Sequence, residues 1–131
     1  MKFPKTTIIF LMFSIVSFFG CSNVPKENTI TVTELHTLLE DAEITVLDVR
    51  TPEEISQGKI TSSALEANFY DQHFIENVID HISAEENVYV YCKGGNRSAK
   101  AVAKLRELGY SKIYNVEGGI TAWKAKGYKI E

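Results

Sequence analysis

Apolar positions along this 131-residue chain change their spacing twice. Residues 6–19 form an almost unbroken apolar run behind Lys2 and Lys5, and residues 22–28 are mostly polar. From Thr29 onward, short apolar runs alternate with stretches of helical period. Residues 29–32 read as a short strand, and Thr33 as the N-cap of a helix carrying Leu35, Leu38 and Leu39. Residues 44–49 are apolar except for Thr45 and Asp48, as in a strand covered on both faces. Pro52 opens a short helix stopped by Gly58, and residues 64–68 read as a short strand. Over residues 71–82, Phe74, Ile75, Val78, Ile79 and Ile82 share one helical stripe. Residues 87–91 predict a strand that ends at Cys92, and residues 98–108 a helix stopped by Gly109. A last strand over 112–116 and a last helix over 119–126 follow. This alternation predicts one α/β domain over residues 29–131, a mostly parallel sheet with helices on both faces. Ligands of such sheets bind beyond the carboxyl ends of the strands, where the pattern places Cys92, residues 48–50 and residues 117–119.

The chemistry concentrates in Cys92-Lys93-Gly94-Gly95-Asn96-Arg97-Ser98. A cysteine at a strand tip stands over a glycine-bearing loop that opens a helix. Successive backbone N–H groups of such a loop form an anion nest, and the helix N-terminus adds positive potential. Both stabilise a thiolate over a thiol, so Cys92 is expected to be a reactive nucleophile. Gly94 and Gly95 would allow the tight curvature, Lys93 and Arg97 would add positive charge, and Ser98 would cap the helix or donate to the sulfur.

This loop resembles the Cys-x-x-Gly-x-Arg-Ser loop of the rhodanese-like sulfurtransferases. Residues 46–54, Val-Leu-Asp-Val-Arg-Thr-Pro-Glu-Glu, are similar to that family's early strand and turn. Residues 116–123, with Gly127 following, are similar to its closing Gly-Gly-x-x-x-Trp signature. The three blocks come in family order. One stretch departs: Gly58-Lys59-Ile60 and Ser62-Ser63-Ala64 stand where the family often has Gly-His-Ile and Pro-Gly-Ala. The resemblance implies transfer of sulfane sulfur through a Cys92 persulfide. An anionic, thiosulfate-like donor would bind over residues 93–98, and a thiol or cyanide would be the acceptor. It implies no metal and no organic cofactor. A cysteine phosphatase or arsenate reductase is the nearest enzymatic alternative. By resemblance, phosphatase loops hold five residues between cysteine and arginine, whereas four lie between Cys92 and Arg97. A persulfide carrier without turnover, or a binding or sensing module, is the alternative of another class.

The front of the chain has its own signature. A positive start, the apolar run and Gly20-Cys21 read as a signal peptide over residues 1–20. Gly-Cys resembles the bacterial lipobox, although Phe18 stands where leucine is usual. Cys21 would then carry lipid, and residues 21–28 would tether the domain to a membrane of the cell envelope. Ser22 after the cysteine favours an outer membrane where one exists, by resemblance to the sorting rule. Ordinary cleavage near Gly20 and an uncleaved anchor are the alternatives. With Cys21 lipidated, Cys92 is the one thiol left and no intrachain disulfide forms; a Cys21–Cys92 disulfide is the competing reading.

A formal net charge of −3 gives no sign of nucleic-acid binding. His36, His73 and His81 share no metal-ligand spacing. Asp48 and Arg50 are expected to bond loop backbone or to pair with Glu53 or Glu54. Trp123 is expected to pack the last helix on the sheet.

Overall fold

The computed structural model describes residues 24–131. Five strands form one sheet: β1 (Thr29–Ile30), β2 (Thr45–Asp48), β3 (Leu65–Glu66), β4 (Val88–Tyr91) and β5 (Ile113–Val116). Their order is β1-β5-β4-β2-β3, and every pairing is parallel. Five α-helices connect them: α1 (Val32–Asp41), α2 (Pro52–Ile55), α3 (Phe74–Ile79), α4 (Asn96–Glu107) and α5 (Gly119–Ala125). None of the described helices is long and apolar enough to cross a membrane.

The alternation within each strand sorts side chains onto two faces. Val88 and Val90 of β4 and Leu47 of β2 pack under α3 and α4, with Phe74, Val78, Ala101, Val102 and Leu105. Tyr89 and Tyr91 of β4 and Val46 of β2 face the other way, with Leu35 of α1 and Ile120 and Trp123 of α5. The expected parallel sheet with helices on both faces is thus present. Trp123 packs as expected, 3 % exposed, and its Nε1 donates to the Lys129 carbonyl at 2.9 Å.

Several boundaries differ from the sequence reading, each for a local reason. The first strand stops at Ile30 because Thr31, not Thr33, caps α1. Thr31 Oγ1 accepts from the Glu34 N–H at 3.1 Å, and Glu34 Oε2 accepts from the Thr31 N–H at 2.7 Å. That reciprocal pair needs a Glu three residues after the cap, which Thr31 has and Thr33 does not. The helix expected over 71–82 shrinks to Phe74–Ile79. Asp71 spends its carboxylate on the His73 N–H at 2.8 Å, making a turn in place of a first helical turn. At the other end the His81 N–H bonds Val78 three residues back. Ahead of β1, Lys26–Asn28 forms one 3-10 turn, and Val24 packs against the α3–α4 core, so this end of the polar stretch lies on the domain.

Parallel pairing puts all strand carboxyl ends on one edge. Asp48 lies directly opposite Tyr91, so the residues after β2 and β4 emerge side by side.

Candidate active site

Cys92 follows β4 directly and is 1 % exposed. The Gly95 N–H donates to its Sγ at 3.1 Å, and the Ser98 Oγ lies 3.3 Å from the same sulfur. The next helix begins at Asn96, two residues earlier than its apolar period suggests, with Gly95 as N-cap. Asn96, Arg97 and Ser98 therefore form the first turn of α4, and the sulfur faces the positive end of a 12-residue helix. The curvature falls on Gly95 alone. Its φ is +105°, and a Cβ there would lie 3.2 Å from the Gly118 nitrogen. Gly94 has ordinary φ and open space around it, which corrects the expectation that both glycines are needed.

The outer side of the loop is clamped by α5. The Ile120 and Thr121 N–H groups donate to the Cys92 and Lys93 carbonyls, each at 3.0 Å. This approach demands a residue without Cβ at position 119, where an added carbon would sit 2.4 Å from the Cys92 oxygen. Gly119 is thus part of the site through backbone contact. The Gly118-Gly119 pair was visible in the sequence, but the contact that requires it was not.

Burial pushes the Cys92 thiol up, but the Ser98 hydroxyl and the N–H groups of Ser98, Gly95 and Arg97 outweigh it, leaving the thiol below its ordinary value. Ser98 Oγ also lies 3.1 Å from the Gly95 carbonyl, to which it donates when the sulfur is protonated. One hydroxyl hydrogen serves both positions, so ionisation turns it towards the sulfur. Ser98→Ala removes that donor. Its alkylation rate by iodoacetamide, followed against pH, is expected to rise at a higher midpoint than in the parent protein. An unchanged midpoint would remove Ser98 from this role.

Arg97 is not directed solely at an incoming anion. Its two terminal nitrogens donate to the two oxygens of Glu54, each at 2.7 Å, and its guanidinium lies 5.5 Å from the Tyr70 ring centre. Glu54 also closes the capping box of α2, accepting from the Thr51 N–H at 3.0 Å. The sequence pattern offers Glu54 as a partner for Arg50; the Thr51-x-x-Glu54 spacing is the signal that would reveal the cap, and nothing local reveals Arg97. The Arg97 guanidinium, with help from Thr51, holds the Glu54 carboxyl down to about 2, below its ordinary 4.5. A carboxyl depressed in the fold contributes stability above its unfolded value and loses it as pH falls through the folded one. Stability is therefore expected to drop between about pH 4.5 and 2. Because the pair is partly exposed, its share is about 1 kcal/mol. Urea midpoints at about pH 6 and pH 3 are expected to differ less in Glu54→Gln than in the parent; equal differences would contradict this account.

Lys93 and Asn96 are exposed. Lys93 lines a cleft of about 220 Å³ with Lys124, Thr121, Arg50 and Glu54. A second cleft, of about 350 Å³, lies against Gly94, Gly95 and Asn96 beside Asn115 and Glu117. Of the six residues after Cys92 in the loop, Gly95 and Ser98 bond the sulfur, Arg97 turns to Glu54, and Lys93, Gly94 and Asn96 line the neighbouring clefts. Cys21 lies outside the described residues.

Beneath the loop, Asp48 and Arg50 are 0 % and 4 % exposed. Arg50 donates from Nη2 to Asp48 Oδ2 at 2.7 Å and from Nε to Asp48 Oδ1 at 3.0 Å. It also reaches the carbonyls of Glu54 and Gly58, at 3.2 and 2.8 Å. The Tyr91 hydroxyl donates to Asp48 and accepts the Ile60 N–H. Burial and the Asp48 carboxylate push the Tyr91 phenol up, so it remains a donor. Arg50 bonds loop backbone as expected, but its carboxylate partner is Asp48 itself and not Glu53 or Glu54, and the pair is structural. It seats α2, and α2 in turn carries the Glu54 that holds Arg97.

A rhodanese-like domain family model matches residues 31–126. A sulfurtransferase of Allochromatium vinosum is 36% identical over 93 residues, 71% of this chain and 83% of that protein. Thiosulfate sulfurtransferase 16 of Arabidopsis thaliana is 35% identical over 115 residues, covering 81% of this chain and 92% of that protein. Among solved structures, a rhodanese-related protein of Thermoplasma volcanium superposes with TM-score 0.69 at 32% identity, over 79% of this chain and 97% of that one. A rhodanese-like domain protein of Staphylococcus aureus gives 0.67 at 34% identity, over 79% and 98%. A parallel five-stranded sheet, a cysteine loop closing onto a helix N-terminus and a match across nearly the whole described chain lead to one assignment: the chain belongs to the rhodanese-like domain family.

Proposed function

We propose that this protein is a sulfurtransferase that moves sulfane sulfur from a thiosulfate-like donor to a thiol or cyanide through a persulfide on Cys92. The observation that carries this reading is the buried Cys92 sulfur, bonded by the Gly95 N–H and by Ser98 over the start of α4. The Cys92 thiolate attacks the outer sulfur of thiosulfate. The sulfur–sulfur bond of the donor breaks, and its electron pair leaves with sulfite. The terminal sulfur of the resulting persulfide carries the charge, stabilised by the same N–H groups. Cyanide or an acceptor thiolate then takes that sulfur, and the Cys92 thiolate returns. Lys93 draws the anion in from the rim, while Asn96 and Arg97 shape the loop.

The four-residue spacing between Cys92 and Arg97 argues against phosphate or arsenate chemistry, since a smaller ring suits one sulfur atom. Export and lipid anchoring at Cys21 belong to this proposal and rest on the N-terminal sequence pattern.

Steady-state thiocyanate formation, with thiosulfate and cyanide varied together, tests the two half-reactions. Parallel double-reciprocal lines are expected. Persulfide formation without thiocyanate would make the protein a carrier, and intersecting lines would contradict a free persulfide intermediate.

A further inference from the structure

Four cationic side chains lie on or beside the cleft that opens next to the cysteine loop, and they are not equivalent. Arg50 is buried against Asp48. Arg97 is gripped at both terminal nitrogens by Glu54. Lys93 and Lys124 line the cleft and have no ion-pair partner among the described residues. Glu54 is the one carboxylate among the residues that line this cleft. It is held from two sides: its Oε2 accepts from the Thr51 N–H and hydroxyl at 3.0 and 3.1 Å, and its carbonyl accepts Arg50 at 3.2 Å. The carboxylate therefore sits fixed, and Arg97 comes to it.

We propose that Glu54 determines donor specificity by keeping Arg97 in a neutral pair, so that an arriving donor meets the two lysines and backbone N–H groups without an additional uncompensated guanidinium. The inference rests on the sulfur-transfer reading above and goes beyond it by naming the residue that sets how strongly the donor's charge counts. One positive charge fewer costs a dianion more attraction than a monoanion, because Coulomb energy scales with the product of charges. The loop thus favours doubly charged donors less strongly than it would with an unpaired Arg97. Removing the Glu54 charge would strengthen that preference. Glu54 makes no bond to the Cys92 sulfur, so its role is positioning and compensation.

Two probes separate charge from chemistry. Thiosulfate is a dianion and methanethiosulfonate a monoanion. Each gives up its outer sulfur to the Cys92 thiolate, leaving as sulfite or methanesulfinate with the electron pair of the broken sulfur–sulfur bond. Single-turnover loading of the full-length protein, against concentration of each donor, yields an apparent affinity and a limiting rate. In Glu54→Gln the affinity ratio of thiosulfate over methanethiosulfonate is expected to rise about three- to tenfold, with limiting rates changing alike for both. Glu54→Asp keeps the charge and is expected to keep the parent ratio. Arg97→Gln alone removes one positive charge and is expected to lower the ratio, and the double variant, neutral again at the pair, to return it to the parent value. Equal changes for both donors, or a double variant whose ratio stays at the Glu54→Gln value, would overturn the proposal and leave Glu54 a structural residue. Failure of the parent protein to load from either donor would overturn sulfur transfer itself, a distinct result.

Discussion

Asp48→Ala is expected to lower the stability of this domain by about 3–5 kcal/mol, the usual cost of leaving one partner of a buried ion pair alone. Arg50 is 4 % exposed and is tied to the Glu54 and Gly58 carbonyls. Truncation of Asp48 leaves that guanidinium with backbone carbonyls only, and strips the Tyr91 hydroxyl and the Arg50 N–H of an acceptor. Small domains are held by about 5–15 kcal/mol in total, so the variant would sit near its unfolding threshold. Its urea midpoint should fall steeply with little change in slope. The site should fail with it, because α2 and the Glu54–Arg97 pair hang on the same network. A double replacement that makes both positions apolar, Asp48→Leu with Arg50→Met, should recover part of the stability but not the geometry of α2. A small effect of Asp48→Ala would mean that Arg50 relaxes to solvent, and the account of this layer would fall.

Cys92→Ser is expected to reduce sulfur transfer more than about a thousandfold while leaving stability within about 1 kcal/mol. The serine oxygen fits where the sulfur sits and keeps the Gly95 and Ser98 contacts. A hydroxyl is not ionised in the pH range where the thiol is, and it cannot form a persulfide. Thermal melts alongside thiocyanate assays separate the two outcomes. Loss of activity together with loss of fold would leave the nucleophile unproven, and Cys92→Ala, which removes the polar atom from the buried site, provides the second variant. Retained activity in either variant that melts like the parent would rule Cys92 out as the sulfur carrier.

What was legible in the sequence divides along physical lines. The parallel sheet could be read from short strands with both faces apolar, because that pattern has few other homes. The position of Cys92 at a strand tip followed from the alternating run before it. Features that depend on partners distant in the chain were not legible. Glu54 and Arg97 lie 43 residues apart, and nothing near either announces the other. Tyr91 reads as one aromatic in an alternating strand, yet its hydroxyl completes a polar layer with Asp48 and Ile60. The helix beginning at Asn96 was placed two residues late, because Asn96 and Arg97 carry no apolar period and the turn there is made by a glycine with positive φ. That shift brings Ser98 into the first turn of α4, within reach of the sulfur. Gly119 shows the same limit: its requirement is a backbone contact with another loop.

The most direct test is the mass of the Cys92 peptide after the reduced full-length protein meets thiosulfate. One added sulfur atom on that peptide, removed by cyanide with release of thiocyanate and absent in Cys92→Ser, is the predicted result. No added sulfur on a reduced, folded protein would contradict the persulfide account.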